Sequence, residues 1–263
     1  RALPVQISVR ADLNEKKLAL VGSRVQQLVD DARIAGAVTL VARDGKIAML
    51  EASGLRDLGN GDPMEKDTIF RIYSMTKPIT TTAVMMLVEE GKISPSDPVS
   101  KYLPELGKLT VFNASGKHKP AKTQMTIADL MRHTSGLSYG FTGGPIATLY
   151  NTNNILDRNS SLEQMVEKLA TIPLQEEPGS AWRYSVSIDV LGRLVEVVSG
   201  KPFGNFIHER IFVPLGMTDT GFHVPESKAR RFASQHTRDR AGKLKVGESA
   251  SVSHFLKKPV HQS

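Results

Sequence analysis

The stretch that most constrains this chain is FRIYSMTKPITTTAVMMLVEEGK, residues 70–92. From Ala83 to Val88 every residue is apolar, and a helix that is apolar all round has to be covered by other elements. The pattern predicts a helix ending near Glu90, with Gly91 as its stop. At its head stand Ser74 and Lys77, the chain's one S-x-x-K. Residues three apart share a helix face, so the lysine amine can reach the serine oxygen. A helix start leaves backbone N–H groups without an internal partner and is partly positive, which suits a developing oxyanion. Pro78 fits a first turn, where its missing N–H is not needed. Taken alone, the pattern equally suits a capping serine followed by a snorkelling surface lysine. To act as a base the lysine must shed its proton, which burial beside a positive helix end favours.

The flanking pattern is α+β. Residues 14–35 carry Leu18, Val21, Val25, Leu28, Val29 and Ala32 at helical spacing, with Gly36 as the stop. Two β-rich runs then flank Arg43-Asp44-Gly45, a hairpin signal. Residues 55–68 read as a loop, and the proline-rich ISPSDPVSKYLPEL as an extended crossing. Thr126 and Asp129 stand in capping-box spacing at the start of TIADLMRH. SGLSYGFTGGP is a loop. Further helices are expected in SSLEQMVEKLATI, capped by Ser160 with Glu163, in SVSIDVLGRLVEVVSG, ended by Gly200, and in PFGNFIHERIF. Three segments follow: 1–72 as part of an α/β sheet domain, 73–223 as a mainly helical domain, and 224–263 as a return toward the sheet.

Composition excludes several functions. The chain has no cysteine, so disulfides, thiolate metal sites and cysteine nucleophiles are ruled out. No His-x-x-x-His pair suggests a metal, and no cofactor is expected. No apolar run reaches the roughly 18 residues of a membrane span. The net charge is +7, densest over residues 226–245. That run holds one aromatic, Phe232, too few for a nucleic-acid face with stacking platforms. TRDRAGKLKV reads instead as a solvated hairpin, and no nucleic-acid partner is expected. The chain opens on Arg1 with no signal segment, so either a leader has been removed or the start is not included. A cytoplasmic location is favoured, with a periplasmic or secreted one open if a leader was removed. Oligomeric state is not legible.

A second serine competes for the chemistry. GLSYG, residues 136–140, matches the G-x-S-x-G elbow around Ser138, but that elbow works only between a strand and a helix. Here a helix precedes it and a loop follows. His208, His223, His236, His254 and His261 stand in no convincing pairing with it. The match reads as accidental. Tyr139 and Phe141 in the same loop pack locally or line a substrate pocket.

In PGSAWRYSVSIDVLGRLVEVV, Tyr184 sits just before a helix and can project into a cleft. Together with IYSMTKPIT, GKISPSDPVSKYLPEL, MTIADLMRHTSGL and PLGMTDTGF, this segment resembles the serine β-lactamase and penicillin-binding-protein superfamily. Within its class C-like branch the likeness is greatest to the family VIII carboxylesterases. The resemblance covers essentially the whole chain. It implies an acylated Ser74, Lys77 as the group that deprotonates or orients it, and Tyr184 as general base or proton shuttle. It also implies a β-lactamase/transpeptidase-like fold: an antiparallel sheet flanked by helices, plus a mainly helical domain. Two departures matter. Val186 stands where the lactamase pattern has an asparagine, which tilts the implied substrate toward small esters and places Val186 at the pocket, with a β-lactamase, a D-alanyl carboxypeptidase or peptidase, an acyltransferase, or a non-catalytic binding or scaffold member as the alternatives. The third motif, Lys-Thr-Gly or its His-x-Gly and Trp-x-Gly equivalents, does not occur. A C-terminal segment on the order of a hundred residues is therefore expected to be missing, because a two-stranded hairpin needs more strands to be stable.

Overall fold

The computed structural model describes residues 13–259. They divide into two compact units: the chain up to Ile72 together with His223–Lys258, and Tyr73–Phe222.

The first unit opens with helix α1, Glu15–Asp30. The side chain of Asn14 accepts the Lys17 N–H and caps it. The helix is shorter than its pattern suggests. Ala32 takes the left-handed conformation (φ 52) and Arg33 N–H closes back on Leu28 O. Gly36 therefore starts a strand instead of stopping a helix; a Cβ there would lie 2.6 Å from Leu55 O. Strand β1, Gly36–Arg43, turns through Asp44 (φ 50) and Gly45 (φ 72) into β2, Lys46–Asp57. Two successive positive φ values define the tight hairpin that the Asp-Gly pair favours. β3, Asp62–Pro63, completes an antiparallel sheet in the order β1-β2-β3. α1 lies against β1 and β2. None of its residues is fully buried, and Val21, expected on the covered face, is exposed.

The second unit begins with a 3-10 turn, Tyr73–Met75, that runs into α2, Thr76–Glu89. α2 buries Thr80, Ala83, Val84 and Leu87 but leaves Met85 exposed, so it is covered on one side and not all round. The proline-rich stretch forms two 3-10 turns, Val99–Lys101 and Pro104–Gly107. A short ladder joins β4, Thr110–Val111, to β5, Lys119–Pro120. α3, Ile127–Arg132, has the expected Thr126–Asp129 capping box. α4, Gly144–Thr152, lies where the glycines read as loop. α5, Leu162–Ala170, is capped by Ser161 with Gln164, one residue later than expected. α6, Ser187–Ser199, ends on Gly200 in the left-handed conformation. α7, Phe203–Ile207, continues as a π turn over His208–Phe212.

α6 is the centre of this unit and packs against α2, α3, α5 and α7. Val190, Leu191, Leu194 and Val195 have no accessible surface. Burying a side chain of that kind contributes about 1.5–3 kcal/mol. The first unit then resumes with a hairpin of β6, Gln235–Arg238, and β7, Leu244–Glu248. This is the hairpin read from TRDRAGKLKV. Its base is fixed by Asp57, which accepts from the hydroxyl of Ser234 and from the N–H groups of Gly59 and Asn60. Among the described residues no helix is long and apolar enough to cross a membrane.

Candidate active site

Ser74, Lys77 and Tyr184 meet, although Tyr184 lies 110 positions along the chain from the serine. Ser74 Oγ is 2.5 Å from Tyr184 Oη and 3.2 Å from Lys77 Nζ. The amine also lies 4.6 Å from the centroid of the Tyr184 ring. The serine is exposed; the lysine and tyrosine are half-buried. Ser74 belongs to the 3-10 turn before α2, and Tyr73 beside it holds φ at 42. A left-handed non-glycine residue stores local strain, and such strain gathers at functional positions.

Tyr184 is held by backbone pairing that its sequence does not advertise. Residues 133–138 and 175–186 run side by side. Gln175 N–H donates to Gly136 O, Gly179 N–H to Thr134 O, Arg183 N–H to His133 O and Val186 N–H to Ser138 O. Beneath the tyrosine, Ser135, Ser187 and Ser185 form a buried hydroxyl chain with steps of 2.7 and 2.6 Å. Ser185 N–H donates to His133 Nδ1 at 3.3 Å, which leaves the proton of a neutral ring on Nε2. Burial, then the nearby Lys77 charge, holds His133 below its ordinary pKa. Its ring lies 4.9 Å from Tyr184, and Trp182 stacks on Tyr184 at 6.4 Å. Burial raises the phenol pKa of Tyr184, but hydrogen bonding from Lys77 and Ser74 outweighs it, and the net shift is downward.

The remaining expected residues separate. Tyr139 is buried beside Tyr184, with ring centroids 5.3 Å apart, and lines a pocket with Lys77. Burial pushes its phenol above the range of a working base. Phe141 stacks on Tyr139 at 4.7 Å but lines a different hollow, with Tyr150 and Asn151. Val186 has no accessible surface; it packs in the core of this unit and presents nothing to a pocket, a correction to its expected place. It is the residue before α6, and its side chain turns inward with that helix.

Ser138 is buried, and its hydroxyl pairs with Thr142 Oγ1 at 2.8 Å. The glycines around it serve packing. A Cβ on Gly136 (φ 80) would lie 2.2 Å from Glu176 O, and one on Gly140 would lie 2.0 Å from Asn151 Oδ1.

Sequence reasoning missed Tyr73, His133, Trp182 and Asp189. Only Asp189 carried a signal: an acid inside the apolar run SIDVLGRLV. Among the described residues, no group of three or more His, Asp and Glu side chains could hold a metal ion.

A family model described as Beta-lactamase matches residues 21–253, and the chain belongs to that family. This is the class of β-lactamase-fold serine hydrolases, and its relatives here include esterases. The chain is 38% identical over 223 residues to esterase EstB of Burkholderia gladioli, a match covering 82% of this chain and 54% of the relative. It is 34% identical over 206 residues to a lovastatin esterase of Penicillium rubens, covering 75% and 51%. The solved structure of EstCE1, described as a hydrolase with promiscuous acyltransferase activity, superposes with a TM-score of 0.78 at 32% identity, covering 95% of this chain and 65% of that one. The chain spans about half the length of the curated relatives it matches. The superfamily and fold read from the sequence are borne out.

Proposed function

We propose that the protein is a serine carboxylesterase that cleaves small, short-acyl esters through an acyl-enzyme on Ser74. The observation that carries this reading is the placing of one exposed serine oxygen within hydrogen-bond reach of both Tyr184 Oη and Lys77 Nζ. Tyr184 with its lowered phenol, or Lys77 as the free amine, takes the serine proton while Oγ adds to the ester carbonyl. Backbone N–H groups at the start of the serine turn receive the oxyanion. The proton passes to the departing alkoxide, and water then attacks the acyl-serine and releases the acid. The three-segment organisation, with the helical domain at 73–223 carrying the catalytic helix, belongs to the same proposal.

The test is hydrolysis of a short-chain p-nitrophenyl ester by Ser74→Ala and Ser138→Ala. Activity should vanish with the first change and persist with the second; the opposite result would overturn the assignment. A second outcome has a specific basis in the description of EstCE1 as an acyltransferase. An alcohol added to the assay would then compete with water for the acyl group and yield a new ester.

A further inference from the structure

The first turn of α6 carries an acid, Asp189, that is half-buried and lines a pocket. The pocket, of about 220 Å3, lies beside the serine–lysine helix and is lined also by Lys77, Tyr73, Tyr139, Phe203 and Phe222. Among the described residues its carboxylate makes no hydrogen bond or ion pair with another side chain; it accepts only from its own backbone N–H. The residue preceding α6 is Val186, so Asp189 has no partner for a capping box. Asp189 is half-buried, and a carboxylate partly withdrawn from water without a side-chain partner is a candidate for a functional role. The pocket has room for several waters at about 30 Å3 each, and Asp189, Lys77 and Tyr139 supply their polar partners.

We propose that Asp189 is a positioning residue of the proton relay: through water in this pocket its carboxylate orients the Lys77 amine toward Ser74. The inference rests on the reading of Ser74, Lys77 and Tyr184 given above. Burial pushes the Asp189 carboxyl up to about 6 against the pull of Lys77, so it is an anion at neutral pH and above. Its charge reaches Tyr184 and Tyr139 and raises both phenols. The ionisable groups facing it are Lys77 from α2, Tyr73 from the serine turn, Tyr139 from the loop before α4, and Tyr184 ahead of α6. α5 and α7 turn only Leu162 and Phe203 to the pocket, and α3 turns nothing to it.

The anion disfavours the phenolate of Tyr184, so removing it frees that base at lower pH. In Asp189→Asn, the acid limb of the rate at which a phosphonate labels Ser74 should move to lower pH by about half a unit to one unit. Asp189→Glu, which restores the charge, should return the limb toward that of the unaltered protein. A folded Asp189→Asn protein with an unmoved limb would overturn the proposal. Where that variant does not fold, carboxyl carbon-13 titration of Asp189 in Lys77→Met replaces it. Loss of the ammonium should move the Asp189 midpoint upward, and an unchanged midpoint overturns the coupling. Failure of the serine assignment is separately visible, since Ser74→Ala would then still hydrolyse ester.

Discussion

At the residue scale, three side chains and one glycine decide most of what this site can do. Tyr184 touches the serine oxygen directly, and its phenol is drawn below its usual value. Tyr184→Phe keeps the ring stack with His133 and Trp182 and removes only the proton acceptor. Turnover of a short ester should fall by about 10²–10⁴-fold, in the range lost with a general base, with little change in thermal stability. Gly136 acts at a distance. Its φ of 80 and the nearness of Glu176 O leave no place for a Cβ. Gly136→Ala should therefore cost about 1–3 kcal/mol in denaturant unfolding and lower activity too, because Gly136 O anchors the segment leading to Tyr184. The G-x-S-x-G pattern is thus a packing pattern: its glycines admit neighbouring groups and its serine binds Thr142.

At the element scale, α6 is where stability and chemistry share one helix. One face buries Val190, Leu191, Leu194 and Val195; its first turn carries Asp189; its leading segment carries Tyr184. Leu191→Ala should destabilise by about 2–5 kcal/mol, read as a lower midpoint in chemical unfolding. Gly192 sits against α5, where a Cβ would come 3.0 Å from Leu162. Periodicity disclosed α2 and α6 because their apolar repeats are local. It missed α4 because Gly143, Gly144 and Pro145 read as a turn, although Pro145 falls in the first turn of a helix, where its missing N–H is harmless. It placed the cap of α5 one residue early, since Ser160 and Ser161 are chemically equal and only backbone geometry selects Ser161 with Gln164.

At the scale of the whole molecule, the acidic groups set a stability window. Asp97 is held at about 2 by Tyr102, the Ser94 N–H and Lys101. Asp57 and Asp129 also lie below their ordinary value: burial raises each, but the hydroxyls and N–H groups around them outweigh it. Folded pKa values below unfolded ones give stability that is full above about 4 and is lost as pH falls toward 2. Asp189 has the opposite sign. Its folded pKa of about 6 exceeds its ordinary value of 3.8, so its contribution is full below about pH 4 and is lost as pH rises through about 6. The melting temperature should therefore be highest near pH 4 and decline as pH rises to about 6, and Asp189→Asn should flatten that decline while leaving the acid side unchanged. A melting series with the same decline in both proteins contradicts this account of Asp189. By itself the sequence determined α2, α6, the two hairpins and the serine–lysine pair, because helical spacing, hairpin turn chemistry and an i,i+3 contact operate within a few residues. Only the tertiary structure decided that Tyr184 meets Ser74, that Val186 turns into the core and that Asp189 shares a pocket with Lys77. Those outcomes depend on backbone pairing between segments 133–138 and 175–186 and on which face of α6 is buried, and neither is encoded at short range.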